Sequence, residues 1–139
     1  MADERTLTDP LQRRALVQEV MEPAAAADVA GEGLRWLNHL LVRISAASTV
    51  YEIAGRLAYC LERMPQALEG LDDWLRRELE AGTLSDAKSG DVHVRVLTAS
   101  DELMEARAMV GRAGKALERA QRALSPLYGP IREGDDGDA

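Results

Sequence analysis

The sequence contains no phenylalanine, a single cysteine, and among 139 residues only two tryptophans and three tyrosines. A core built around large aromatic rings is therefore excluded. The apolar content comes instead from alanine and leucine, 41 residues together, which are strong helix formers and suit close helix-to-helix approach. The lone Cys60 allows neither an intrachain disulfide nor a cysteine-based zinc site. No apolar run reaches the length of a membrane span, and the opening "MADERTLTDP" lacks both the basic start and the apolar centre of a signal peptide. A cytoplasmic protein with no membrane partner is expected. Lysine is scarce too, two against fifteen arginines, a bias expected of a high-GC bacterial genome. Acids outnumber bases, giving a net charge of −7, which disfavours a broad nucleic-acid surface.

What the chain does have is helical patterning. Asp9, Pro10 and Gln12 make a helix start, with Leu11, Ala15, Leu16 and Val20 forming its apolar face. Pro23 ends that segment and can open the next. There Ala27, Ala30, Leu34, Leu37, Leu41 and Ile44 recur at spacings of three and four, with a break allowed at Gly31 and Gly33. Thr49 and Glu52 have the spacing of a capping box and predict the start of a third helix. In it, Leu57/Met64/Leu71, Cys60/Ala67/Trp74 and Leu61/Leu68/Leu75 repeat at seven, and these three rows keep phase through Pro65. A loop at Pro65 would have shifted that phase. The proline is therefore expected to kink the helix or to mark a tight helix-to-helix junction, with the kink favoured because Met64 is a poor cap.

The fourth segment follows the polar stretch "AGTLSDAKSGD". Val96, Leu103, Val110, Leu117 and Leu124 occupy one heptad row and Ala99, Ala106, Ala113 and Ala120 another, with Leu127 closing the pattern. A helix over 92–127 is expected, although "VHVRV" at its start alternates as a short strand would. Pro126, Gly129 and Pro130 end it, and "REGDDGDA" reads as a disordered acidic tail.

Few residues invite chemistry. His39 and His93 stand far apart without a partner at ligand spacing, so no metal site is expected. Cys60 sits within an apolar face and is read as a small hydrophobe. Asp72 and Asp73 are adjacent and diverge on a helix; they are read as part of a solvated surface, not as an acid–base pair. There is no phosphate-cradling glycine loop, nucleophile elbow or paired-histidine motif, so neither catalysis nor a cofactor is expected. The sharper feature is Arg112, Lys115, Arg119 and Arg122, at i, i+3, i+7 and i+10 on one helix, with Glu118 the only acid among them. It suits either favourable interaction with the helix C-terminus or a docking strip for an acidic partner or nucleic acid.

Two resemblances extend this reading. The stretch from Thr49 to Thr98 resembles a winged-helix regulator, with "EIAGRLA" as first helix, "ALEGLDDWLRREL" as recognition helix, and "GTL" with "DVHVRVL" as the wing. That resemblance implies DNA binding. Against it, the span from Ala58 to Gly82 exceeds the usual turn and helix, and Glu69, Asp72 and Asp73 would meet phosphates with the wrong sign. The "RMPQALEGLDDWL" block and the alanine-rich last helix are similar to small uncharacterised all-helical proteins of actinobacteria, some near mobile elements. That resemblance covers about the last two-thirds of the chain and implies a fold class without an activity.

The expectation is an all-α helical bundle: two shorter N-terminal helices, then a long antiparallel hairpin whose first arm is kinked at Pro65. One helical domain is expected over 9–128, between a flexible start at 1–8 and a tail at 129–139. The function expected is a non-enzymatic interaction or assembly module, probing its partners through packed helix surfaces and forming a homodimer, with a winged-helix DNA-binding regulator as the alternative.

Overall fold

The computed structural model describes residues 21–129. The helix expected from Asp9 to Val20, the start at 1–8 and the tail beyond Gly129 lie outside the described residues. Regular structure among the described residues is helical throughout, with no strand. The chain divides between Ile44 and Ser45 into two units, where the sequence reading places a single domain over 9–128.

In the first unit, helix α1 spans Pro23–Leu40 and passes into a 3₁₀ turn at Leu41–Arg43. Pro23 stands in the first turn, where its missing N–H has no intrahelical partner to lose. The helix continues through Gly31 and Gly33; a Cβ added at either would meet nothing within 4 Å, so these glycines mark open surface and not a break. No residue of α1 is buried, and Val29, Leu34 and Trp36 are each more than half exposed.

The second unit holds two long helices, α2 over Ala47–Ala81 and α3 over Val92–Leu124. Helix α2 starts two residues before the expected cap. Ala46 is the extended residue that precedes it, and its carbonyl accepts from the Thr49 amide at 3.2 Å. The Thr49–Glu52 capping box is therefore not formed, because Thr49 already lies inside the first turn. Pro65 lies within the continuous helix, so no helix-to-helix junction occurs there. Gly82 ends α2 in the left-handed region, φ 70°, and the amides of Gly82 and Thr83 return to the carbonyls of Leu79 and Glu78, each at 3.1 Å. This closing turn satisfies carbonyls that the last helical residues would otherwise leave unpaired.

Helix α3 is started by Asp91, whose carboxylate accepts from the amides of His93 at 2.9 Å and Val94 at 3.4 Å. That cap resolves the ambiguity of "VHVRV" in favour of helix. The segment that the winged-helix resemblance assigns to a wing strand is thus the first turns of α3. The helix ends at Leu124, short of the expected Leu127.

Helices α2 and α3 pack on each other along their length. Gly55 lies by Gln121, Leu61 by Gly114 and Glu69 by Arg107. The fully buried apolar residues are small: Ala54 and Ala58 on α2 and Val96 on α3, joined by Gly114. Small side chains at these positions let the backbones approach, which leaves the larger leucines to fill the flanks. Leu61, Leu68 and Leu75 face Leu103, Val110, Leu117 and Leu124, all partly covered.

Candidate interaction surfaces

Packing α2 on α3 divides the remaining surface of this unit into two unlike sides. On one, Leu68, Glu69, Asp72, Arg76, Leu103, Met104 and Arg107 line a shallow groove. Glu69 pairs with Arg107 across the helices at 3.2 Å, and Arg76 with Asp72 within α2 at 3.0 Å. The Asp72 Oδ1 and Ser100 Oγ atoms are both buried, and neither has a hydrogen-bond partner of good geometry. The Ser100 hydroxyl is the first cause holding the Asp72 carboxyl below its usual range, ahead of the Arg76 guanidinium and against the opposing effect of burial. Asp72 is therefore not part of the solvated surface read from the sequence, whereas its neighbour Asp73 is exposed. A signal existed: Asp72 continues the row Leu61, Pro65, Leu68 at helical spacing, and Ser100 sits between Val96 and Leu103 in the facing row. Each helix carries one polar residue in an otherwise apolar contact row, and the two meet. Ser100 is 1% exposed, so its hydroxyl serves the contact between helices and is out of reach of a dissolved substrate.

The other side is apolar and open. The rows Cys60/Ala67/Trp74 and Met64/Leu71 are exposed on α2, with Leu71 at 57% and Trp74 at 48%. On α3 the alanine row lies beside them: Ala99 and Ala106 are partly covered, Ala113 and Ala120 exposed, and Met109 is 53% exposed. The three heptad rows of α2 thus have different fates. Leu61/Leu68/Leu75 is partly covered throughout, whereas in the other two rows only Leu57 is, and the rest faces solvent within this unit. An apolar band of this length, bounded by charged side chains, is the kind of surface that marks a docking site.

The four basic residues of the strip are all exposed, and among the described residues none is in an ion pair. Lys115 lines a recess on the groove side with Leu61, Glu62, Pro65, Gly111, Gly114 and Glu118. Arg112 and Arg119 share a heptad row with Glu105, on the flank that borders the open apolar side.

His93 lines a shallow hollow with Arg76, Leu79, Glu80, Val96, Leu97 and Ser100 and has no ligand cluster around it. Among the described residues no group of three or more histidine, cysteine or carboxylate side chains could hold a metal ion. Cys60 is an exposed free thiol, not the buried hydrophobe expected. No described helix is long and apolar enough to cross a membrane.

The turn between the helices is held by Asp86, whose carboxylate accepts from the Lys88 amide at 2.7 Å and pairs with Arg95 on α3. The Arg95 guanidinium first, then the Lys88 amide, hold this carboxyl below its usual range. A carboxyl depressed in the folded state adds stability at pH values above its unfolded pKa, about 4, and that contribution fades as pH falls through the folded value. The melting temperature of the native chain is expected to exceed that of Asp86→Asn at neutral pH, with the gap closing below about pH 4. Thermal melts of both chains from neutral pH into acid check this; a gap that does not change with pH would show that the charge of Asp86 is not its contribution.

No family model, curated protein or solved structure matches this chain.

Proposed function

We propose that this protein is a non-enzymatic interaction or assembly module whose working element is an antiparallel hairpin of α2 and α3, bent at Pro65. The pairings support the antiparallel reading: Gly55 with Gln121, Leu61 with Gly114 and Glu69 with Arg107 run forward on one helix and backward on the other. The bend follows from the hydrogen bond that Pro65 cannot donate to the Leu61 carbonyl and from the crowding of its ring against that turn.

The observation that carries the functional reading is the open apolar side. Two helices alone bury little, and a soluble chain rarely leaves Met64, Leu71, Trp74 and Met109 along one side of a unit without something to cover them. The groove side, by contrast, is closed by its own ion pairs.

The test compares the native chain with Leu71→Glu in affinity capture from the source cells, after circular dichroism shows both equally helical. Leu71 is more than half exposed, so the change leaves the hairpin interior intact. Partners retained by the native chain and lost by the variant are the expected result. Recovery of the same set by both chains would count against the open side as the working surface.

A further inference from the structure

We propose that the open side of the hairpin docks a second copy of this chain about a two-fold axis, and that the acidic and basic halves of α3 are each other's partners across it. The inference rests on the interaction-module reading above and names the occupant of its surface.

The first support is charge. Along the row of α3 that borders the open side, the acidic Glu105 comes first and the basic Arg112 and Arg119 follow. An antiparallel copy of α3 brings like flanks together and reverses the order. Glu105 of one chain then stands by Arg112 of the other, a pair that occurs twice. A surface carrying both halves of its own complement is the mark of an isologous interface. Such a pattern also explains why Arg112 has no ion-pair partner among the described residues of its own chain.

The second support is that independent rows place the axis at one level. The alanine row Ala99/Ala106/Ala113/Ala120 is centred beside Met109. Inverted on itself it sets Ala106 against Ala113 and Ala99 against Ala120, small against small, with the methionines at the centre. On α2 the row Cys60/Ala67/Trp74 is centred on Ala67, and inversion sets Cys60 against Trp74 and Met64 against Leu71. Ala67 and Met109 also lie at the same height in the hairpin, because Glu69 pairs with Arg107 and Leu61 with Gly114. One axis therefore satisfies both helices. It also sets Arg56 against Glu78, a further opposite-charge pair on the α2 flank.

The third support is area. Helices of this length span about 50 Å. With axes some 8–10 Å apart they present a face on the order of 900 Å² per chain, close to the ~800 Å² per partner of a standard specific interface. The product is a four-helix arrangement in which each apolar row of both helices is covered.

Sedimentation equilibrium of the full chain is expected to show a dimer. Glu105→Arg and Arg112→Glu, each setting like charges together twice, should raise the dissociation constant at least ~10-fold, and the double variant should return to within ~3-fold of native. Restoration by the double change is the result that a merely structural role for either residue would not give. The register is read separately in a Cys60→Ser background: Met109→Cys should form a covalent dimer under copper-catalysed oxidation, and Arg122→Cys should not. A native chain that stays monomeric at ~100 μM, a double variant no tighter than the single ones, or equal cross-linking through position 122 would each overturn the proposal. If the purified chain is monomeric while Leu71-dependent capture persists, the interaction reading stands and the occupant is a different protein.

Discussion

Gly114→Leu is expected to lower the free energy of unfolding by about 3 kcal/mol, toward the upper end of what over-filling a packed site costs. Gly114 is a buried residue of α3 that packs against α2. A Cβ there would lie 3.6 Å from Leu61 Cβ and 3.9 Å from the Glu62 amide nitrogen, both ordinary contacts. A single methyl group therefore fits. Gly114→Ala should stabilise by up to ~1 kcal/mol through helix propensity alone. The further carbons of leucine meet Leu61 Cβ and the Glu62 backbone, which cannot rotate away, and the shallow recess beside Pro65 and Gly111 takes up only part of them, so the helices must shift. Gly55 provides the contrast. A Cβ there meets the end of the Gln121 side chain, whose bond to the Tyr51 carbonyl is long at 3.5 Å. That amide swings aside, so Gly55→Ala should change stability by less than ~1 kcal/mol in either direction. Chemical denaturation of the three variants separates these outcomes. A Gly114→Leu chain as stable as native would mean that the helices are not held at this distance in solution.

Pro65→Ala is expected to raise the free energy of unfolding by about 2 kcal/mol. Proline in a helix interior costs ~3 kcal/mol relative to alanine, through the missing hydrogen bond and the clash of its ring with the preceding turn. Against this stands the packing of the ring. Pro65 is partly covered and borders the recess with Gly111 and Gly114, so shortening it to alanine gives back ~1 kcal/mol of apolar contact. The balance favours alanine. Amide exchange supplies a second measurement: in the variant, residue 65 gains an N–H, and that amide should be protected to the same degree as its neighbours. Loss of stability instead would mean that Pro65 is needed to keep α2 against α3.

Much of this architecture can be read from periodicity. The phase that the leucine rows keep across Pro65 predicts one helix there, and α2 is continuous. Pro23 opens α1 as its position suggests, and the Leu/Val row of α3 is the one that meets α2. The misread positions share a cause. Thr49 and Glu52 have the spacing of a cap, but Ala47 and Ser48 are already helical, and spacing cannot say which of several adjacent residues leaves the extended region first. Asp72 was assigned to solvent by its charge, when its place in the contact row was the better guide. The basic strip is exposed as its spacing implies.

The meeting of Asp72 and Ser100 has a consequence for how the hairpin finds its alignment. Heptad rows of nearly interchangeable residues are degenerate: sliding α3 by two turns along α2 exchanges Val96 for Leu103 and Val110 for Leu117, at little cost in buried area. Two features break that degeneracy. A slide of seven residues puts His93 or Arg107 in the place of Ser100 beside Asp72, and neither side chain fits where a small, 1%-exposed serine is enclosed. The same slide moves Gly114 off Leu61 and brings a larger side chain to the narrowest point. These two small residues add little to the depth of the native minimum, but they separate that minimum from its nearest copies, so that a repetitive sequence folds to one alignment and not to several.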